Sequence, residues 1–251
     1  MGDLPRDRVV ITRPFEKIGL DFVGPVITKP NLKRSRVMLK SYIAIFICFS
    51  TKAIHLEVVS DFSTEAFLAC LRRFIARRFK PSIVWSDNAT NFKGTKNVLD
   101  KLFRICRSDP IQRFSSEEGI TWKFIPPSSS HFGGLWEAHI KSMKRVLTKV
   151  AKTTILNFEE LYTLITQIEA CLNSRPLSPI SADPTDLQPL IPGHLLIGAP
   201  FLSIPEPNDS VDSLTLSSRW TLIQKLRANF WNRWSVEYLN YLQNPLQNGI
   251  K

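Results

Sequence analysis

Between Lys17 and Val59 three strand-like runs follow one another, separated only by turns. KIGLDFVGPV, from Lys17 to Val26, closes on Gly24-Pro25. Tyr42 to Phe49 (YIAIFICF) is apolar throughout, and Ala53 to Val59 (AIHLEVV) alternates. Runs joined this way build an antiparallel meander. The middle run is the longest apolar stretch of the chain, yet it falls far short of the ~20 residues a membrane-spanning helix needs. The opening MGDLPRDRVV is charged and lacks the apolar stretch of a secretory signal.

Beyond Val59 the chain alternates helix and strand. Ser63 reads as the N-cap of a helix running to about Phe79, with Phe67, Leu71 and Phe74 on its inner side, and Pro81 stops it. Ser82 to Ser86 is a short buried strand ending at Asp87. Thr95 to Cys106 fits a helix on which Val98, Leu99, Leu102, Ile105 and Cys106 share a face. Ile120 to Ile125 is a fifth strand, ended by Pro126-Pro127. The loop SSSHFGG leads into a helix from Trp136 to Lys152. Asn157 with Glu160 resembles a capping box for another helix ending near Asn173. This order predicts an α/β fold, a five-stranded mixed sheet flanked by helices on both faces.

The organisation expected is a linker over residues 1–12, a core over 13–180 and a C-terminal connector over 181–251. The connector is first rich in proline and leucine. It ends in a helix from Ser217 to Leu242 carrying Trp220, Phe230, Trp231, Trp234, Tyr238 and Tyr241. That is more aromatic surface than one helix hides, and packing against a further domain or subunit is expected in preference to stacking on bases.

At 251 residues with 43% hydrophobic content, the chain supplies an ample core. Its net charge of +11 favours a polyanionic partner, nucleic acid above an anionic membrane surface. Cys48, Cys70, Cys106 and Cys171 are scattered with no C-x-x-C pair, so they are expected to be reduced packing residues of an intracellular protein and not zinc ligands.

Against that basic background three carboxylates stand out: Asp21 in GLDFVGP, Asp87 in WSDNATNF and Glu137 in HFGGLWEAHIKSMKRVL. Each sits at the edge of a buried element. Were the first and fourth strands parallel neighbours, Asp21 and Asp87 would lie side by side. Clustered carboxylates raise each other's pKa unless cations neutralise them, and magnesium suits oxygen ligands of this kind. At 100° per residue Trp136, Ile140, Met143 and Leu147 form the apolar stripe of their helix, while Glu137, Lys141 and Lys144 share an adjacent polar one. Taken singly, a Glu–Lys pair at i, i+4 is a solvated contact worth ~0.3 kcal/mol, and an Asp ending a strand is a turn residue. The combination, in order on suitable elements, points to a metal site with phosphate-binding lysines. Arg72, Arg73, Arg77, Arg78 and Lys80 crowd the first helix, part as a solvated face and part as salt-sensitive contacts to a nucleic-acid backbone.

The phrases RPFEKIGLDFVGP, FICFSTKAIHLEVVSDFSTEAFLACLRRFIARR, SDNATNFKG, HFGGLWEAHIKSMKRVL, LNSRPL and PGHLLIGAP together resemble the integrases of Bel/Pao LTR retrotransposons. More broadly, Asp21, Asp87 and Glu137 look like the DDE triad of retroviral-type integrases, whose core is ribonuclease H-like. The resemblance covers nearly the whole chain. Asp87 and Glu137 have 49 residues between them, positions 88 to 136. This is a longer separation than the common retroviral one and of the kind the Bel/Pao group shows, with the extra residues expected in the polar stretch Arg107 to Gly119.

The resemblance implies a metal-dependent polynucleotidyl transferase. Water cleaves near the 3′ end of the element's DNA, and the freed 3′-hydroxyl attacks a phosphodiester of target DNA. Asp21, Asp87 and Glu137 would be the catalytic residues and hold two Mg²⁺ or Mn²⁺ ions. Lys141 and Lys144 would position the DNA end, and Asn88 and Asn91 would orient the loop or a phosphate. His131 would cap its loop or touch phosphate, while Arg73 and Arg77 would touch the DNA backbone. The implied partners are double-stranded DNA, from element ends and target, and further copies of the chain as a homo-oligomer, without a membrane. The implied location is the nucleus, after passage through the cytoplasm. The family's His/His/Cys/Cys zinc domain and SH3-like C-terminal domain have no counterpart in the sequence, so the chain reads as a catalytic core plus connector. Two rival readings are a noncatalytic DNA- or protein-binding module descended from an integrase, and a ribonuclease H-type nuclease acting on RNA in hybrids.

Overall fold

In the computed structural model the described residues are 10–30, 37–61, 63–86, 104–124, 134–181, 183, 185, 188–200 and 219–243, side chains of 134–139 and 241 excepted. Strands β1 (Lys17–Lys29), β2 (Leu39–Cys48) and β3 (Ile54–Val59) form the antiparallel meander. On the other side of β1 lie β4 (Ile83–Ser86) and then β5 (Thr121–Phe124), both parallel to it. The resulting order, β3-β2-β1-β4-β5, is that of the ribonuclease H-like fold, a mixed five-stranded sheet flanked by helices as the sequence predicts. A two-residue strand β6 (Leu156–Asn157) adds to the far end of β1. Another short pair, β7 (Ser178–Pro179) and β8 (Pro189–Leu190), stands apart.

Gly24-Pro25 does not close β1, contrary to the sequence expectation. The register shifts between Val23 and Val26 and then resumes with Val26 opposite Ser41. Pro25 has no N–H for a ladder, which a bulge tolerates. Gly24 has φ +143°, and a Cβ there would meet the Tyr42 ring at 2.7 Å. A side chain is excluded at that position on both counts.

From Tyr42 onward strand β2 is apolar because both of its faces are covered there, whereas its start, Leu39 and Lys40, is exposed. Tyr42, Ala44, Phe46 and Cys48 join a core with Phe15, Phe22, Phe67 and Phe74, in which Phe46 and Phe74 stack with ring centres 4.2 Å apart. Ile43, Ile45 and Ile47 enter the opposite, mostly aliphatic core. The phenylalanine-rich face is covered by α1 (Thr64–Arg78), where the Ser63 hydroxyl accepts the Ala66 N–H at 3.1 Å, and by α2 (Asp109–Glu117). Helix α2 occupies the polar stretch in which sequence reading placed the extra residues and assigned no element. Pro110 sits in its first turn and Ile111 and Ser115 are buried.

The aliphatic face is covered by α3 (Gly134–Ala151), α4 (Phe158–Asn173) and α6 (Arg219–Gln243), with a one-and-a-half-turn α5 (Pro192–Ile197) before α6. The predicted capping box opens α4. Asn157 Oδ1 accepts the Glu160 N–H and Glu160 Oε2 accepts the Asn157 N–H, both at 2.8 Å.

Helix α6 corrects the expectation for part of the aromatic segment, while Trp220 and Trp231 stay exposed. Ile223, Leu226, Phe230, Trp234 and Tyr238 recur at helical spacing and are buried against α3 and α4 of the same chain. Full burial of each such side chain contributes roughly 1.5–3 kcal/mol. Polar contacts fix the helix along its length. Arg219 donates to Glu160, Arg145 pairs with Glu237 at 2.5 Å, and the Tyr238 hydroxyl donates to the Pro176 carbonyl at 2.6 Å. All four cysteines are free, with Cys48, Cys70 and Cys106 buried, and burial pushes the Cys70 and Cys106 thiols well up. Among the described residues no helix is long and apolar enough to cross a membrane.

Candidate active site

Alternation along β1 sends Ile18, Leu20 and Phe22 into the phenylalanine-rich core. Asp21, one residue out of phase, therefore faces the other side, where α3 crosses. The apolar stripe of α3 seats it there, with Ile140, Met143 and Leu147 buried. Lys144, on the neighbouring stripe, reaches Asp21. Its ammonium makes an ion pair with Oδ2, while Oδ1 accepts the backbone N–H of Phe22 at 2.7 Å. Both side chains keep contact with water, 21% exposed for Asp21 and 27% for Lys144. Lys141, one turn earlier, is exposed.

The parallel pairing of β1 with β4 is the one the sequence reading required. Its last matched pair is Leu20 with Ser86, the residues immediately before Asp21 and Asp87. Ser86 is fully buried, and its hydroxyl accepts the Trp122 indole N–H from β5 at 2.9 Å, which pins the end of β4. Asp87, Asn88, Asn91 and His131 lie outside the described residues, as does most of the predicted helix Thr95 to Cys106. Glu137 lies in α3, seven residues before Lys144 and hence on the same stripe about two turns away. Its side chain is outside the described set. Of the predicted site residues, the structure thus brings Asp21 and Lys144 into contact. Among the described residues no group of three or more His, Cys, Asp or Glu side chains is placed to hold a metal ion. The chemistry of Asp21 nonetheless suits a hard cation, since a half-open carboxylate oxygen already holds one positive charge.

Arg73 and Arg77 are placed elsewhere, at the outer side of β3. They reach Glu57, which is completely buried, Arg73 Nε donating to Oε2 at 2.6 Å and Arg77 Nη1 to Oε1 at 3.0 Å. Arg73 also donates to the Val58 carbonyl at 2.6 Å. His55 lies between two carboxylates, Nε2 3.1 Å from Glu57 and Nδ1 3.2 Å from Glu169 of α4, and Arg78 pairs with Glu169. Glu169 further accepts the Leu56 N–H at 2.8 Å. Burial opposes the imidazolium of His55, but the hydrogen bonds to Glu169 and Glu57 outweigh it and hold its pKa above the ordinary value. Burial likewise acts to raise Glu57 and Glu169. Hydrogen bonds from His55, with Arg73 at Glu57 and the Leu56 N–H at Glu169, bring both below the ordinary carboxylate value.

LNSRPL acquires a physical role here too. The Asn173 amide pairs with both backbone groups of Ile54, at 2.8 and 2.7 Å, and buried Arg175 donates to the Leu172 and Lys52 carbonyls. Sequence reading divided these arginines between a solvated face and DNA-backbone contacts and did not foresee their bonds to Glu57. The signal for those bonds is a glutamate with apolar neighbours on both sides, followed on the next helix by arginines spaced i, i+4.

Residues 218–247, on and around α6, match a family of unknown function, DUF5641. No curated protein matches the chain. Among solved structures it is similar to a chain of the simian T-cell lymphotropic virus intasome in complex with PP2A regulatory subunit B56 gamma, with 14% identity and a TM-score of 0.47. That match covers 83% of this chain and 64% of the other, so this chain spans less than two thirds of its length. It is also similar to the catalytic core domain of BIV integrase, with 14% identity and a TM-score of 0.44, over 73% of this chain and 95% of that one.

Proposed function

We propose that this chain is the catalytic core of a Bel/Pao-type retrotransposon integrase, a metal-dependent polynucleotidyl transferase acting on double-stranded DNA. The observation that carries this reading is the Lys144–Asp21 ion pair. It joins α3, the helix that carries Glu137 and Lys141 in sequence, to β1, which runs parallel to the strand that precedes Asp87.

In this reading Asp21, Asp87 and Glu137 hold two Mg²⁺ or Mn²⁺ ions. When bound, the pair supplies charge neutralisation for an in-line displacement at phosphorus. The chain's own residues do the rest. The carboxylates fix the reacting geometry from a rigid sheet and a seated helix. Lys141 and Lys144 hold the DNA end by its phosphates, Asn88 and Asn91 orient the loop or a phosphate, and His131 caps its loop or touches phosphate. The net charge of +11 draws DNA in without regard to sequence. Action on both an element end and a target calls for more than one copy of the chain, working in the nucleus where target DNA lies.

The test mixes the protein with labelled element-end DNA and Mg²⁺ or Mn²⁺, alongside Glu137→Gln. Nicking or strand transfer that needs the metal and disappears in the variant is the expected result. DNA binding equal in both proteins, with product in neither, overturns the enzyme and leaves a binding module.

A further inference from the structure

We propose that Lys144 is a displaceable counterion of Asp21. Its ammonium holds the carboxylate while no divalent cation is bound, and is released to a DNA phosphate when one binds. The inference rests on the function proposed above and concerns the loading of that same site.

Four observations carry it. First, the two oxygens of Asp21 are unequally used. Oδ1 is committed to the Phe22 N–H, so Oδ2, the oxygen Lys144 holds, is the one available to a cation. Second, both side chains are partly exposed, so the ammonium can leave Oδ2 without stranding a charge in a dry interior. Third, α3 itself is fixed by Ile140, Met143, Val146 and Leu147, all buried, so exchange needs only rotation about the lysine's four-carbon stem. Fourth, Lys141 stands exposed one turn away on the same stripe, so a released Lys144 joins a second ammonium suited to a phosphate backbone.

A dication outcompetes a single ammonium for one carboxylate oxygen and then repels it, so competition and repulsion act in the same direction. Lys144 therefore weakens metal binding in the free protein, and DNA relieves that weakening by taking the ammonium away. By linkage, metal and DNA then promote each other's binding.

Mn²⁺ is the probe, titrated into the whole chain and followed by the paramagnetic resonance of the free ion, for wild type, Lys144→Met, Lys144→Arg and Asp21→Asn. Lys144→Met is expected to bind Mn²⁺ about fivefold tighter or more, a coupling of ordinary size. Lys144→Arg keeps the competing charge and stays near wild type, and Asp21→Asn loses the ion. Equal Mn²⁺ affinity in wild type and Lys144→Met overturns the counterion and leaves the proposed function standing. Mn²⁺ binding to neither protein overturns both. A second measurement uses wild type alone. Brief acetylation of lysines, read by mass spectrometry with exposed Lys149 as reference, should mark Lys144 weakly in the free protein, strongly with Mg²⁺, and weakly again when a double-stranded oligonucleotide is added. Labelling of Lys144 that does not rise with Mg²⁺ overturns release, and labelling that stays high with DNA bound overturns transfer to phosphate.

Discussion

Asp21 and Glu57 are carboxylates on strands of one sheet, and their surroundings differ in kind. Glu57 is sealed from water and accepts from His55, Arg73 and Arg77. Asp21 is a fifth exposed and faces one cation through one oxygen. A buried carboxylate is tolerable only when several donors compensate its lost hydration, and it is then expensive to disturb. A half-open carboxylate with one flexible partner stores little free energy and is free to exchange that partner. The basic helix α1 thus serves architecture through residues read from sequence as DNA contacts, whereas α3 brings its cation to the place where chemistry is proposed.

The largest break in this comparison is Glu57→Ala. It removes one shared acceptor from His55, Arg73 and Arg77 and should cost about 3 kcal/mol in urea denaturation, the lower end of the range for broken buried pairs because the arginines are partly exposed. A loss below about 1 kcal/mol, the level of a surface pair, would place Glu57 in the same class as Asp21. Asn173→Ala strips both backbone groups of Ile54 and should cost about 2 kcal/mol, with faster amide exchange at Ile54 as the local readout.

A pH series sharpens the contrast. His55 is raised in the fold, so its stabilisation is full below its ordinary value of 6.5 and is lost as pH climbs through the raised one. Glu57 and Glu169 are lowered, so theirs is full above 4.5 and is lost as pH falls through the lowered values. Urea midpoints should therefore hold between pH 4.5 and 6.5 and decline on either side, and His55→Gln should flatten the alkaline limb. The smallest effect belongs to Asp21. A double-mutant cycle of Asp21→Asn with Lys144→Met should give a coupling of about 0.5 kcal/mol, reduced by solvent screening at two partly exposed groups.

Local chemistry was legible wherever neighbours in sequence are neighbours in space. Ser63 capping α1 and Asn157 with Glu160 opening α4 follow from spacing alone. The apolar run of β2 from Tyr42 to Cys48 and the proline stop after α1 were equally plain. The helix Asp109–Glu117 was missed because its polar residues outnumber the apolar ones, although Ser108-Asp109-Pro110 marks its start. The continuation of β1 past Gly24-Pro25 was missed because both residues ordinarily end strands, and only Tyr42 pressed against Gly24 shows why a bulge forms instead. For the site, the stripe of Lys144 was readable from helical geometry, and the structure adds its partner, Asp21. The glutamate between apolar neighbours and the i, i+4 arginines were readable in the Glu57 cluster, but not the arrival of Glu169 from more than a hundred residues away. The aromatic side of α6 needed knowledge of which partner lies beneath it.

The side-chain bonds along β3 have a consequence for association. β3 ends the sheet, and such a strand ordinarily offers a row of open peptide groups onto which another chain can add a strand of its own. Here the carbonyls of Lys52, Ile54 and Val58 and the N–H groups of Ile54 and Leu56 are already taken by Arg175, Asn173, Arg73 and Glu169. Copies of this chain cannot join sheet to sheet along that margin without first pulling those side chains away. The same groups guard it against templated aggregation, so crowding of many copies need not lead to fibrils growing from β3.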